Sequence, residues 1–128
     1  MFTADQLLAH AVGDYILQSD WMAREKTKRS VAALAHVSTY VLPFVLLTRS
    51  PLALAAIAGS HFVLDRWRLA RYVVWAKNWM GTNRPWSECA ATGYPPDRPP
   101  WLSTWLLIVA DNIVHVSCNA LALTYLAK

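Results

Sequence analysis

The stretch 59-GSHFVLDRWR-68 sets His61 and Asp65 four residues apart inside an apolar run. On a helix, positions i and i+4 share a face, so the two side chains form one polar patch. Ionisable groups in hydrocarbon are costly, about 2.5–3.5 kcal/mol each on insertion scales. A chain that keeps them must supply partners, and this one repeats the spacing. Segment 10-HAVGD-14 has the same order, and 111-DNIVH-115 has it reversed. Together with His36, these pairs account for all four histidines of the chain.

The surrounding composition leans toward a membrane protein, and segment lengths decide. The 128 residues are 55% hydrophobic and include seven Trp, with a mean hydropathy of +0.24. Four apolar segments can be drawn, roughly Phe2 to Ser19, Ser30 to Thr48, Pro51 to Arg66 or on to Trp79, and Trp101 to Leu126. A membrane crossing takes about 20 apolar residues, with a minimum near 17. Segments two and four meet this, and segment three does so if it continues past Arg66. Segment one carries Asp5, Gln6, His10 and Asp14 and is the weakest candidate. It lacks the basic start and small-residue cleavage site of a signal peptide. The predicted fold is therefore all-α, a four-helix transmembrane bundle in a single domain over 1–128. A juxtamembrane amphipathic extension of helix three, 66-RWRLARYVVWAKNWM-80, lies along the surface. The stretch 81-GTNRPWSECAATGYPPDRPP-100 holds five of the seven Pro and reads as an irregular cytoplasmic loop. Pro43, inside segment two, should kink that helix.

Charge gives the topology. Of 12 Lys and Arg, ten fall between segments one and two or around the end of segment three and the loop after it. Only Arg49 and Lys128 remain for the other side. The positive-inside rule places the two basic loops in the cytoplasm and both termini outside, as in a multi-pass protein of a bacterial inner membrane. All seven Trp fall at or beyond the cytoplasmic ends, where they anchor at headgroup level. The expected partners are the lipid bilayer and anionic headgroups at the basic face, with room for a homo-oligomer. Nucleic acid is not expected, because the cations are split between juxtamembrane loops. Cys89 and Cys118 show no CxxC spacing, so neither a thiolate zinc site nor a disulfide is expected.

Under this topology the reversed order in segment four aligns the three pairs. The imidazoles fall in one layer and the carboxylates about 6 Å nearer the cytoplasm, given the helical rise. His36 adds a fourth imidazole. The candidate metal ligands are His10, Asp14, His36, His61, Asp65, Asp111 and His115, with Asp14, Asp65 and Asp111 also candidate catalytic bases. Gln18, Asn112, Ser38 and Ser60 are candidate outer hydrogen-bond partners, and Arg66 is a candidate ligand for a headgroup or substrate phosphate. Neutral imidazole and carboxylate suit zinc, manganese or iron(II). Facing helices build bundle-core metal sites with this spacing. Seven ligands exceed what one tetrahedral zinc uses, which leaves space for two ions and hydrolytic water activation. For any single pair, a hydrogen-bonded patch joining two helices is the simpler reading. Three matched pairs plus a fourth His favour a functional site.

The pattern 8-LAHAVGDYILQSDWMAREK-26, His36, 61-HFVLDRWRLARY-72 and 94-YPPDRPPWLSTWLLIVADNIVH-115 resembles a family of small bacterial and phage membrane proteins. It is catalogued as domain of unknown function 3307. The matching positions are His10, Asp14, Gln18, Trp21, His61, Asp65, Arg66, Asp111, Asn112 and His115. The resemblance implies a helical membrane fold and no established activity. The His/Asp pattern is also similar in style to membrane-bound metal-dependent hydrolases. The favoured expectation is a metal-dependent hydrolase acting at the membrane. The alternative is a non-enzymatic membrane component, serving assembly or a proton or ion relay, with the His/Asp layer as polar glue.

Overall fold

The structure, a computed structural model, describes residues 3–127. Phe2, where the first apolar segment begins, and Lys128, counted above as an outer charge, lie outside the described residues. The described chain is all-α, with no strand. In order, the helices are α1 (Ala4–Ala11), α2 (Asp20–Glu25), α3 (Ser30–Tyr40), α4 (Pro51–Trp67), α5 (Ala70–Thr82), α6 (Trp86–Cys89) and α7 (Pro100–Leu126). A π-helical turn, Val12–Ile16, follows α1, and a 3-10 turn, Leu42–Leu46, follows α3.

The starts of these helices are written in the sequence. Thr3 caps α1 by accepting from the Gln6 amide, and Ser19 caps α2 by accepting from the Met22 amide. Ser50 accepts from the Ala53 amide and precedes Pro51, which suits a first helical position.

The segments are shorter than the apolar runs suggest. Segment two is not one 19-residue rod: α3 stops after 11 residues, and the 3-10 turn carries Pro43 near its start. Proline has no N–H for the helix ladder and clashes with the preceding turn, so it ends the helix. Segment three gives a 17-residue α4 that does not continue into the surface stretch. Arg68 takes a left-handed conformation (φ 52°), the position usually given to glycine just past a helix end, and α5 begins afresh at Ala70. Segment one is divided between α1 and the π turn. Among the described residues, α7 alone is long and apolar enough to cross a membrane; it has 27 residues, and 28% of its most apolar window is buried.

The chain forms two compact units, residues 1–67 with 115–128, and residues 68–114. In the first, α3 packs on α4, with Ala32, Ala33 and Ala53 fully buried, so backbones approach closely. Tyr40, Phe44, Ile57, Ala9 and Ala122 form its apolar core. Beside that core lies a set of buried polar side chains: Gln6, His10, His36, His61, Asp65, His115 and Asn119. In the second unit, Trp86 stacks on Tyr72 (4.3 Å between centroids) and meets Trp75 edge-on. Arg71 lies over the Trp86 ring. Gly93, at φ 83°, passes so close to the Arg71 carbonyl and Val74 that any side chain would collide with them. Cys89 and Cys118 are free thiols.

Candidate metal centre

The site is built by the first unit. The π turn contributes Asp14, α3 contributes His36, and α4 contributes His61 and Asp65 one turn apart. Asp14 Oδ1 lies 3.1 Å from His36 Nε2 and 3.3 Å from His61 Nε2. Asp65 Oδ2 lies 3.2 Å from His36 Nε2 and 3.0 Å from His61 Nε2. The two Nε2 atoms are 2.9 Å apart. One ligand atom from each of the four residues falls within 4.8 Å of every other, so the set can hold a metal ion.

These distances have a chemical meaning. Ligand atoms held about 2.0–2.2 Å from a tetrahedral zinc lie about 3.3–3.6 Å from one another, and the oxygen–nitrogen and nitrogen–nitrogen separations here, 2.9–3.3 Å, come close to that. Protons on the two imidazoles alone do not satisfy every one of these contacts. A neutral imidazole with its proton on Nε2 can point it at one neighbour, and one without it can only accept. Each Nε2 here faces two carboxylate oxygens and the other Nε2. A cation at the centre meets all four lone pairs at once.

The convergence also departs from the layered arrangement expected from the sequence. Imidazole and carboxylate of one i,i+4 pair reach toward each other along the helix face, as His61 and Asp65 do at 3.0 Å. The two expected levels collapse into one cluster. His10 and His115 flank it. His10 Nδ1 is 3.6 Å from Asp14 Oδ2 and 2.9 Å from the Tyr40 hydroxyl. His115 Nε2 is 3.6 Å from Asp65 Oδ1, and its ring lies 4.2 Å from that of His61. Asp111 belongs to the second unit.

The expected outer partners are placed elsewhere. Asn112 Nδ2 donates to the Ile108 carbonyl (2.7 Å), Ser38 Oγ to that of Leu34 (2.8 Å) and Ser60 Oγ to that of Ile57 (3.1 Å). Short polar side chains in an apolar helix satisfy themselves on the preceding turn when nothing nearer competes. Gln18 follows the π turn with its Oε1 buried and unpartnered. Arg66 donates from Nη1 to the Thr27 carbonyl (2.7 Å) and from Nε to Ser30 Oγ (3.3 Å), so it binds the turn between α2 and α3.

Four residues not expected from the sequence complete the surroundings. Lys26 Nζ sits 2.7 Å from Asp65 Oδ2 and 3.5 Å from His36 Nε2. Tyr40 stacks its ring on His61 at 3.6 Å, and its hydroxyl accepts from Asn119 Nδ2 at 2.6 Å. Gln6 Nε2 donates to the Val116 carbonyl at 2.7 Å, which ties α1 to α7. Metal-binding imidazoles are commonly oriented by an acceptor on the far nitrogen. Here Nδ1 of His36 and of His61 are buried without one, and the His61 ring is held by the face of Tyr40.

Comparison with curated proteins and with solved structures returned no match. A family profile described as "Protein of unknown function (DUF3307)" matches residues 2–127, nearly the whole chain, and the chain belongs to that family.

Proposed function

We propose that this chain is a membrane-embedded metal-dependent hydrolase in which Asp14, His36, His61 and Asp65 hold one divalent ion of zinc, manganese or iron. The observation that carries the reading is the convergence of two carboxylate oxygens and two imidazole nitrogens in a buried place, with every oxygen–nitrogen separation and the nitrogen–nitrogen one at 2.9–3.3 Å. Buried carboxylates survive only when paired or bound to a cation. A divalent ion in such a ligand set supplies activated water for hydrolysis of phosphoesters or amides. His10 and His115 stand beside the ligands, where they can take up or return a proton. Membrane embedding is supported by the distribution of polarity in the first unit, where the histidines and Asp65 are buried while Leu8, Ile16, Leu46 and Leu52 are exposed.

The test is elemental analysis of detergent-purified protein. About one equivalent of a transition metal per chain is expected, falling below about a tenth in Asp65→Ala and His61→Ala, since each removes one of four ligands. Wild-type protein without metal after supplementation overturns the reading. A proton relay is the second reading, favoured by the connected run Asn119–Tyr40–His10 beside the carboxylates. It expects proton flux across liposomes from protein that carries no metal.

A further inference from the structure

Lys26 reaches the centre, and the metal reading does not use it. Its ammonium lies 2.7 Å from Asp65 Oδ2 and 3.5 Å from His36 Nε2, and its side chain is 17% exposed, against 0% for the His36 and His61 side chains. It therefore reaches from the surface to the edge of the ligand set. Its backbone follows the last residue of α2. The turn after it is pinned by Arg66, whose guanidinium grips the Thr27 carbonyl and Ser30 Oγ. A flexible four-carbon stem with a point charge is thus delivered to the centre from a fixed base.

Charge balance says what the ammonium is for. The carboxylates of Asp14 and Asp65 neutralise a divalent ion. Lys26 then leaves one positive charge over, at the partly exposed edge, beside an ion that repels it. Asp65 Oδ2 cannot give its full charge to both cations. An incoming group with a single negative charge and oxygen donors restores neutrality and bridges the two. That describes a phosphate diester or a singly charged phosphate, which lysine binds as a point charge. Resting on the metal reading, we infer that Lys26 and the ion form a binding site for a monoanionic phosphate group and that Arg66 is a positioning residue for Lys26. This reassigns Arg66: its donors are occupied by the turn, and Lys26 takes the role of contacting phosphate.

The experiment uses full-length protein in neutral detergent, loaded with zinc or manganese, and measures binding of inorganic phosphate and of short-chain phosphatidylglycerol by calorimetry. Metal content is assayed on the same samples. Lys26→Gln is expected to keep its metal and to lose at least about tenfold in affinity for both probes. Lys26→Arg, which keeps the charge, should stay within about threefold of wild type. Arg66→Gln, which frees the turn and removes no group from the centre, should weaken phosphate binding with metal content unchanged. It also serves as the comparison if Lys26→Gln does not fold. Phosphatidylglycerol binding at least about tenfold tighter than inorganic phosphate identifies a lipid headgroup as the source of the ligand, and equal binding identifies free phosphate. Metal-loaded wild type that binds neither probe overturns the inference, as does Lys26→Gln with unchanged binding. Protein that takes up no metal overturns the metal reading instead, so the two failures are told apart.

Discussion

Tyr40 does three things from one position. Its ring covers His61, its hydroxyl accepts from Asn119 Nδ2, and the same oxygen pairs with His10 Nδ1 at 2.9 Å. Removing the hydroxyl alone keeps the stacking and leaves Asn119, which is fully buried, with an unsatisfied donor. Leaving a buried donor orphaned costs about 1–3 kcal/mol. Tyr40→Phe should therefore lower the unfolding free energy in detergent by that amount while metal content stays near wild type. Loss of metal with stability intact would show that the hydroxyl belongs to the ligand shell. The residue was within reach of the sequence. Tyr40 follows His36 by four positions and Asn119 follows His115 by four, the same spacing that marks the His–Asp pairs. Both are extensions of a polar stripe already visible. Lys26 had no such signal. It arrives from a turn, its distance from Asp65 in the chain is large, and a basic loop residue is ordinarily solvated.

At the scale of elements, the π turn is what brings Asp14 to its partners. π turns are rare and recur at functional positions because they redirect side chains within a helix. This one contains Gly13, and a methyl group there would sit 2.5 Å from Tyr40 Cδ2 and 3.0 Å from the Tyr40 carbonyl. The second contact is with backbone and cannot be relieved by a side-chain rotation. Gly13→Ala should destabilise the protein by about 1–3 kcal/mol, as overpacking does. It should also reduce bound metal, because Asp14 is the next residue. Unfolding midpoint and elemental analysis on one preparation check both, and an alanine variant with full occupancy and stability would show that the turn does not position the carboxylate. The helices themselves were legible where a local cause fixed them, as at Ser50-Pro51 and Pro43. The break at Arg68 was not, since a left-handed arginine has no mark in the sequence and the stretch 66-RWRLARYVVWAKNWM-80 reads as one amphipathic helix through it. Nor did spacing announce the π turn. Hydrophobic periodicity reports faces, whereas these features change the phase between faces.

On the scale of the whole molecule, the deciding question is what the apolar surface meets. Leu46 on the 3-10 turn is 86% exposed and Leu121 on α7 is 59% exposed, while His36, His61 and His115 are buried. The sequence anticipated that the His and Asp side chains would face one another inside the bundle, and the burial of the histidines and Asp65 beneath exposed leucines agrees with that. With α7 about 40 Å long at the helical rise, it exceeds the hydrocarbon thickness of about 30 Å. Leu121→Arg and Leu46→Arg separate the environments. In water an exposed leucine exchanged for arginine changes stability by less than about 0.5 kcal/mol. In lipid the same change is costly, by up to about 2.5–3.5 kcal/mol at the middle of a span and by less toward its ends. We expect both variants to lose yield in the membrane fraction after alkaline extraction, with Leu121→Arg the more severe. Arg variants that express normally, stay soluble without detergent and still bind metal would place those leucines in water. The candidate metal centre would then stand on its own geometry, since none of its distances depends on what lies outside the helices.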